Sequence, residues 1–180
     1  RMGEKIMEAK NYQHYIQILK EELVPAMGCT EPIALAYCAS KCRDVLNDEI
    51  IKAHVQVSGN IIKNVKSVVV PNTGGLKGIA SSIAAGIVAG KTEKVLEVIA
   101  EVSEQQKQEM QQWLQQIPID ISPLESECAL DICVELIGKE HQAKVRIAGF
   151  HTNIVFIERD HDVVFEMGVV TSADQSLTDR

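Results

Sequence analysis

The spacing of apolar residues switches between helical and strand periods along this chain, and each switch marks an element. Tyr12, Tyr15, Ile16, Leu19 and Leu23 recur at helical spacing, and Pro25 ends that helix. A second helix follows Thr30. It is apolar nearly all round through Ala39, which predicts burial, and Lys41-Cys42-Arg43-Asp44 returns it to solvent with Cys42 on a half-exposed edge. Ala53, Val55 and Val57 alternate with His54, Gln56 and Ser58, the signature of a half-buried strand. Gly59-Asn60 then predicts a tight hairpin, with a second strand from Ile61 to Val70. Leu76, Ile79, Ala80, Ile83, Ala84, Ile87 and Val88 form a helical stripe stopped by Gly90. Lys94 to Leu114 reads as one or two polar-faced helices, and Pro118 and Pro123 bracket a linker.

The last third alternates. Leu130, Ile132, Val134 and Leu136 are interleaved with Asp131, Cys133 and Glu135, and Val145 and Ile147 with Lys144 and Arg146. Ile154 to Ile157 and Val163 to Phe165 follow, with turns near Gly138-Lys139 and Asp160-His161. This predicts an antiparallel meander. The expected fold class is α+β, with helices and two clusters of mainly antiparallel strands in a single domain over 1–180.

Composition narrows the function. A net charge of −7 argues against a nucleic-acid partner, because the phosphate backbone requires a basic surface. The absence of a long apolar run argues against a membrane span, and no secretory pattern opens the chain. Five cysteines, an odd number without paired spacing, do not form a disulfide framework, so the expected location is the reducing cytoplasm. The Glu- and Gln-rich run from Glu101 to Gln116 reads as a solvated helix face able to serve as a partner contact, for instance in a homodimer.

Three segments offer chemistry. In Gly28-Cys29-Thr30-Glu31-Pro32, a cysteine precedes a helix start, where the backbone dipole favours thiolate, the form that attacks carbon or binds metal. Thr30 is suited to cap the free amides and Pro32 to open the helix. Asn72-Thr73-Gly74-Gly75, read as lying between a strand and a helix, permits turns that aim several amides at one anion, such as a carboxylate. His151-Thr152-Asn153 lies at a strand turn, where a histidine is presented for acid–base work. Each segment also has a plain structural explanation: a small buried cysteine, an ordinary glycine turn and an incidental histidine. Cys38, Cys128 and Cys133 read as structural thiols.

The stretches VPAMGCTEPIALAYCAS (24–40), VVVPNTGGLKGIASSIAAG (68–86) and GFHTNIVFIERD (149–160) together resemble the iron–sulfur L-cysteine desulfidases, a family related to the alpha part of iron–sulfur L-serine dehydratases. That resemblance implies a lyase acting by α,β-elimination on a small amino acid, L-cysteine in preference to L-serine. It implies a [4Fe–4S] cluster with Cys29 as one ligand. Within that frame Glu31 and His151 are catalytic candidates, and Thr30, Asn72, Thr73, Gly74, Gly75, Thr152 and Asn153 candidates for binding substrate. It further implies that this chain is an N-terminal part whose helical C-terminal half is the missing partner, and that alone it holds no cluster and is inactive. The competing expectation is a non-enzymatic anion-sensing or assembly domain.

Overall fold

Alternation at Ala53, Val55 and Val57 turns one face of β1 (Ile50–Val57) fully inward, as the sequence predicts. The computed structural model of the protein describes residues 30–168; the predicted Tyr12–Leu23 helix and Cys29 lie outside them. From Glu31 onward the described residues belong to one compact unit. Helix α1 (Thr30–Leu46) leads into β1, followed by α2 (Gly59–Val65), α3 (Gly78–Ala89), a 3-10 turn (Thr92–Glu97) and α4 (Glu104–Gln116). Strands β2 (Ile119–Pro123), β3 (Asp131–Gly138), β4 (Gln142–Ala148), β5 (Ile154–Arg159) and β6 (Asp162–Glu166) complete the order.

The fold is α+β. Its strands form one six-stranded mixed sheet, ordered β2-β1-β3-β4-β5-β6, with only the β1–β2 pair parallel. The two strand-bearing regions of the sequence therefore merge, because β1 inserts between β2 and β3. Val55, Val134, Val145 and Ile157 stand in register across four strands on the inner face. The outer face carries the ladder Asp120, His54, Glu135, Lys144 and Glu158, in which acidic and basic or titratable neighbours alternate.

Three sequence expectations are corrected. The stretch from Gly59 is not a hairpin and second strand but helix α2, whose buried Ile61 and Val65 stand four apart on one face. The segment bracketed by Pro118 and Pro123 is not a linker but edge strand β2; a proline is tolerated at a strand end and on an edge. Cys42 is fully buried rather than half-exposed, because α1 lays it directly on the sheet.

Helix α1 fixes the orientation of everything above the sheet. Cys38 Sγ donates to the Val145 carbonyl at 3.3 Å, Cys42 Sγ reaches the Val134 and Ala143 carbonyls at 3.4 and 3.3 Å, and Arg159 donates to the Val45 and Leu46 carbonyls. The helix thus runs antiparallel to β4, and its C-terminus lies where β4 begins. Helix α3 lies in backbone contact with it: a Cβ on Gly86 would strike the Ala36 backbone, and one on Gly90 would strike Ser40. These matched four-residue steps make the two helices parallel. Both therefore begin toward the end of the sheet where β1 and β4 finish and β3 and β5 start.

Candidate active site

That end of the sheet, the Asp131 end, is built from residues whose polar groups are largely spent on one another. Ser58 closes β1 by donating its N–H to the Asp131 carbonyl at 2.9 Å and its hydroxyl to the Ala129 carbonyl at 2.6 Å. Asp131 opens β3, and its carboxylate is fully buried. Arg146 grips it with two parallel bonds, Nε to Oδ1 at 2.8 Å and Nη2 to Oδ2 at 2.5 Å, and Ser126 Oγ donates to Oδ2 at 2.5 Å. This hydrogen bonding raises the Arg146 pKa. The Ser126 hydroxyl also accepts from the Cys128 N–H at 3.0 Å, so the 124–130 loop is pinned over the outer face. There Cys128, Ala148 and Val155 form a second small core with Phe156 beside it.

The β4–β5 turn carries His151 at the same end. Gly149, with φ of 90°, ties the turn to β3 by donating to the Leu130 carbonyl at 2.9 Å. Asn153 shapes it from within: its Nδ2 donates to the Ala148 carbonyl at 2.9 Å and its N–H to the Phe150 carbonyl at 3.1 Å. His151 is 5% exposed, whereas Thr152 and Asn153 are half-buried. Thr30 is the first residue of α1 and is buried, and Glu31 follows it in the first turn, half-buried. Because α1 starts toward the Asp131 end, Glu31 and His151 lie toward a common end of the sheet.

The Asn72–Gly75 loop is held differently. It does not follow a strand: α2 ends at Val65, and Val69 and Lys77 form only an isolated bridge. The Val70 N–H donates to the Leu76 carbonyl at 2.8 Å and the Gly78 N–H to the Val68 carbonyl at 3.1 Å, so α3 starts at Gly78, beyond the glycine pair. Thr73 is buried inside the loop, donating its hydroxyl to the Val70 carbonyl at 2.7 Å and accepting from the Leu76 N–H at 3.1 Å. Asn72, at φ 62°, donates from Nδ2 to the Ile99 carbonyl at 2.9 Å. Both side chains thus hold the loop itself. Gly74 and Gly75 are exposed at φ 75° and 102°, and their backbone remains open to solvent.

The thiols sort by environment. Burial raises the pKa of Cys38 and of Cys42, and both donate to strand carbonyls, which suits inert core thiols rather than ligands. Cys133, on the outer face, is pushed up to about 11 by burial despite Lys144 and Arg146 nearby. Among the described residues no group of three or more His, Cys, Asp or Glu side chains is arranged to hold a metal ion. Among them also, no helix is long and apolar enough to cross a membrane.

The Asp131–Arg146–Ser126 cluster escaped the sequence reading. Alternation puts Asp131 and Arg146 on one face, but their proximity depends on the β3–β4 register, in which Asp131 opposes Ala148 and Cys133 opposes Arg146.

No family model matches the chain, and no solved structure matches it. A UPF0597 protein of Desulfitobacterium hafniense is 51% identical over 169 residues, covering 94% of this chain and 39% of the relative. A UPF0597 protein of Treponema denticola is 38% identical over 178 residues, covering 97% and 41%. Another from Clostridioides difficile is 34% identical over 165 residues, covering 92% and 38%. None of these names states an activity or a cofactor. The chain spans about two fifths of the length of the curated relatives it matches. Over nearly all of its own length, it is similar to part of the UPF0597 proteins.

Proposed function

We propose that this chain supplies part of the active site of an iron–sulfur-dependent lyase that converts L-cysteine to pyruvate, sulfide and ammonia. The observation that supports this reading is that Glu31, at the start of α1, and the nearly buried His151 turn both lie toward one end of the sheet. Two of the three segments that resemble the desulfidases thereby face one region. α,β-Elimination needs a group to take the α-proton and a group to assist the departing sulfur. A carboxylate and an imidazole are suited to those tasks. The aminoacrylate so released takes up water as its imine and yields pyruvate and ammonia.

When bound, a [4Fe–4S] cluster would supply a Lewis acid for the leaving sulfur, with Cys29 as one of its ligands. Cys29 lies outside the described residues, and Cys38 and Cys42 are spent on strand carbonyls. Further ligands would come from the longer relatives' remaining chain. Thr30 and Glu31 would orient the leaving group. The open amides of Gly74 and Gly75, with Asn72 and Thr73 setting their loop, would hold a carboxylate. Thr152 and Asn153 would shape the pocket around His151.

The test is anaerobic turnover by the full-length protein with L-cysteine and with L-serine, alongside the iron content of a Cys29→Ser variant. Preference for L-cysteine, and loss of iron in the variant, are expected. Preference for L-serine would make the enzyme a serine dehydratase with the same site. An iron-free protein inactive on both would leave an anion-sensing or assembly domain.

A further inference from the structure

The two edges of the sheet are guarded unequally. Strand β2 is preceded by Pro118 and ends at Pro123, residues that cannot donate to an added strand. Strand β6 has no proline or lysine, and its interior reads Val163-Val164-Phe165. The register shifts between Ile157, opposite Phe165, and Glu158, opposite Val163, so Val164 has no partner in the ladder. Val163, Val164 and Phe165 are 54%, 64% and 42% exposed, an apolar run along an edge that no other described strand pairs with. The Met167 N–H turns inward to the Val155 carbonyl at 2.9 Å, so alternation turns that of Glu166 away from β5.

We propose that β6 is a docking edge for an extended segment of the polypeptide by which the UPF0597 relatives exceed this chain. The inference deepens the lyase reading by saying where the rest of the protein attaches, yet it does not depend on that chemistry. Two observations select this occupant. The matched region is only 39% of the Desulfitobacterium hafniense relative, so most of that polypeptide must pack against something. Asp162 and Glu166 flank the apolar stretch, so the edge suits a strand with apolar centre and basic flanks. A second copy of this chain, with net charge −7, brings acid against acid instead. The added strand would extend the sheet past β6 by backbone hydrogen bonding.

Thiol labelling decides it. A match covering 169 of 180 residues includes β6 wherever its ends fall, so Val164 has a counterpart in the Desulfitobacterium hafniense relative. Val164→Cys in this chain and the corresponding cysteine variant of the full-length relative are labelled with a maleimide, against the unsubstituted proteins. Hydrogen exchange of the β6 peptide is followed in both unsubstituted proteins, which keeps the test independent of whether a variant folds. Labelling and β6 amide exchange at least about tenfold slower in the full-length relative support docking. Equal exchange in the two proteins overturns it, even where labelling is slowed. Protection in the 180-residue chain that disappears on dilution assigns the edge to a second copy and also overturns it.

Discussion

The two ends of the sheet are closed by opposite means. At the far end, where β3 gives way to β4 and β5 to β6, half-buried aspartates cap the turns. Asp48 accepts the N–H groups of Glu49, Glu140 and His141 at 2.8, 2.7 and 3.0 Å. Asp160 accepts from the Gln142 N–H at 3.0 Å and pairs with His141 Nδ1 at 2.7 Å. Asp160 and His161, at φ 52° and 70°, make the tight left-handed turn that a two-residue hairpin requires. At the other end the charge is buried, in Asp131 and its Arg146 clamp, and a nearly buried histidine sits in the turn. Caps that keep contact with solvent tolerate change, whereas a fully buried polar group constrains its surroundings. The end that buries polar groups is therefore the one able to hold chemistry in a fixed geometry.

The largest expected effect tests the scaffold that aims both helices at the Asp131 end. Gly86→Val drives a side chain into the Ala36 backbone, which cannot yield as a flexible side chain does. The expected loss is about 3 kcal/mol or more. Gly59→Ala, at a position with nothing within 4 Å, should stay within about 0.5 kcal/mol. Thermal melts of the two variants measure this, and a stable Gly86→Val protein would mean that α1 and α3 are not in backbone contact.

Next in size is the functional contrast between the ends. His151→Ala should lower kcat/KM of the full-length protein by about 100-fold, the low end for a lost acid or base. His141→Ala, at the capped end, should leave it unchanged. Equal losses in the two variants would remove His151 from the proposed site.

Asp131→Asn sharpens the comparison energetically. It keeps the shape and removes the charge that Arg146 answers. Since Arg146 remains a third exposed, the expected cost is about 2 kcal/mol, below that of breaking a fully buried pair. His54→Ala breaks an exposed pair with Asp120 and should cost less than about 0.5 kcal/mol. Urea midpoints that fail to separate the two variants would show that burial adds nothing to the Arg146 clamp.

What the sequence disclosed follows the range of the forces involved. Strands β1, β3 and β4 were legible because alternation records burial locally. Helix α2 was misread because β-branched Ile61, Ile62 and Val65 follow Gly59-Asn60, a pair suited to a turn, although the four-residue spacing of Ile61 and Val65 was available. β2 was hidden by Pro118 before it and Pro123 at its end, and by pairing with a strand some sixty residues earlier, which no local pattern encodes. The His151 turn was located correctly. The Asn72–Gly75 loop was located but mistaken for a strand-to-helix turn, since only tertiary contacts to Ile99 show what its side chains hold.

The smallest effect concerns acid and separates the two ends once more. Hydrogen bonds from the Glu140 N–H first, then those of Glu49 and His141, hold the Asp48 carboxyl below its ordinary range. The Gln142 N–H does the same for Asp160, with His141 and Arg159 adding to it. A folded-state pKa below the unfolded value means that the stabilisation is complete above the usual aspartate pKa of about 3.9 and is lost as pH falls through the lower folded values. Both groups keep contact with solvent, so the change in urea midpoint should be shallow. Asp48→Asn and Asp160→Asn should each flatten the decline in midpoint between about pH 5 and pH 2, and converge on the parent protein at the acid limit. Variants that decline as steeply as the parent would mean that the capped end contributes nothing to acid sensitivity, and that the contrast between the two ends is one of shape alone.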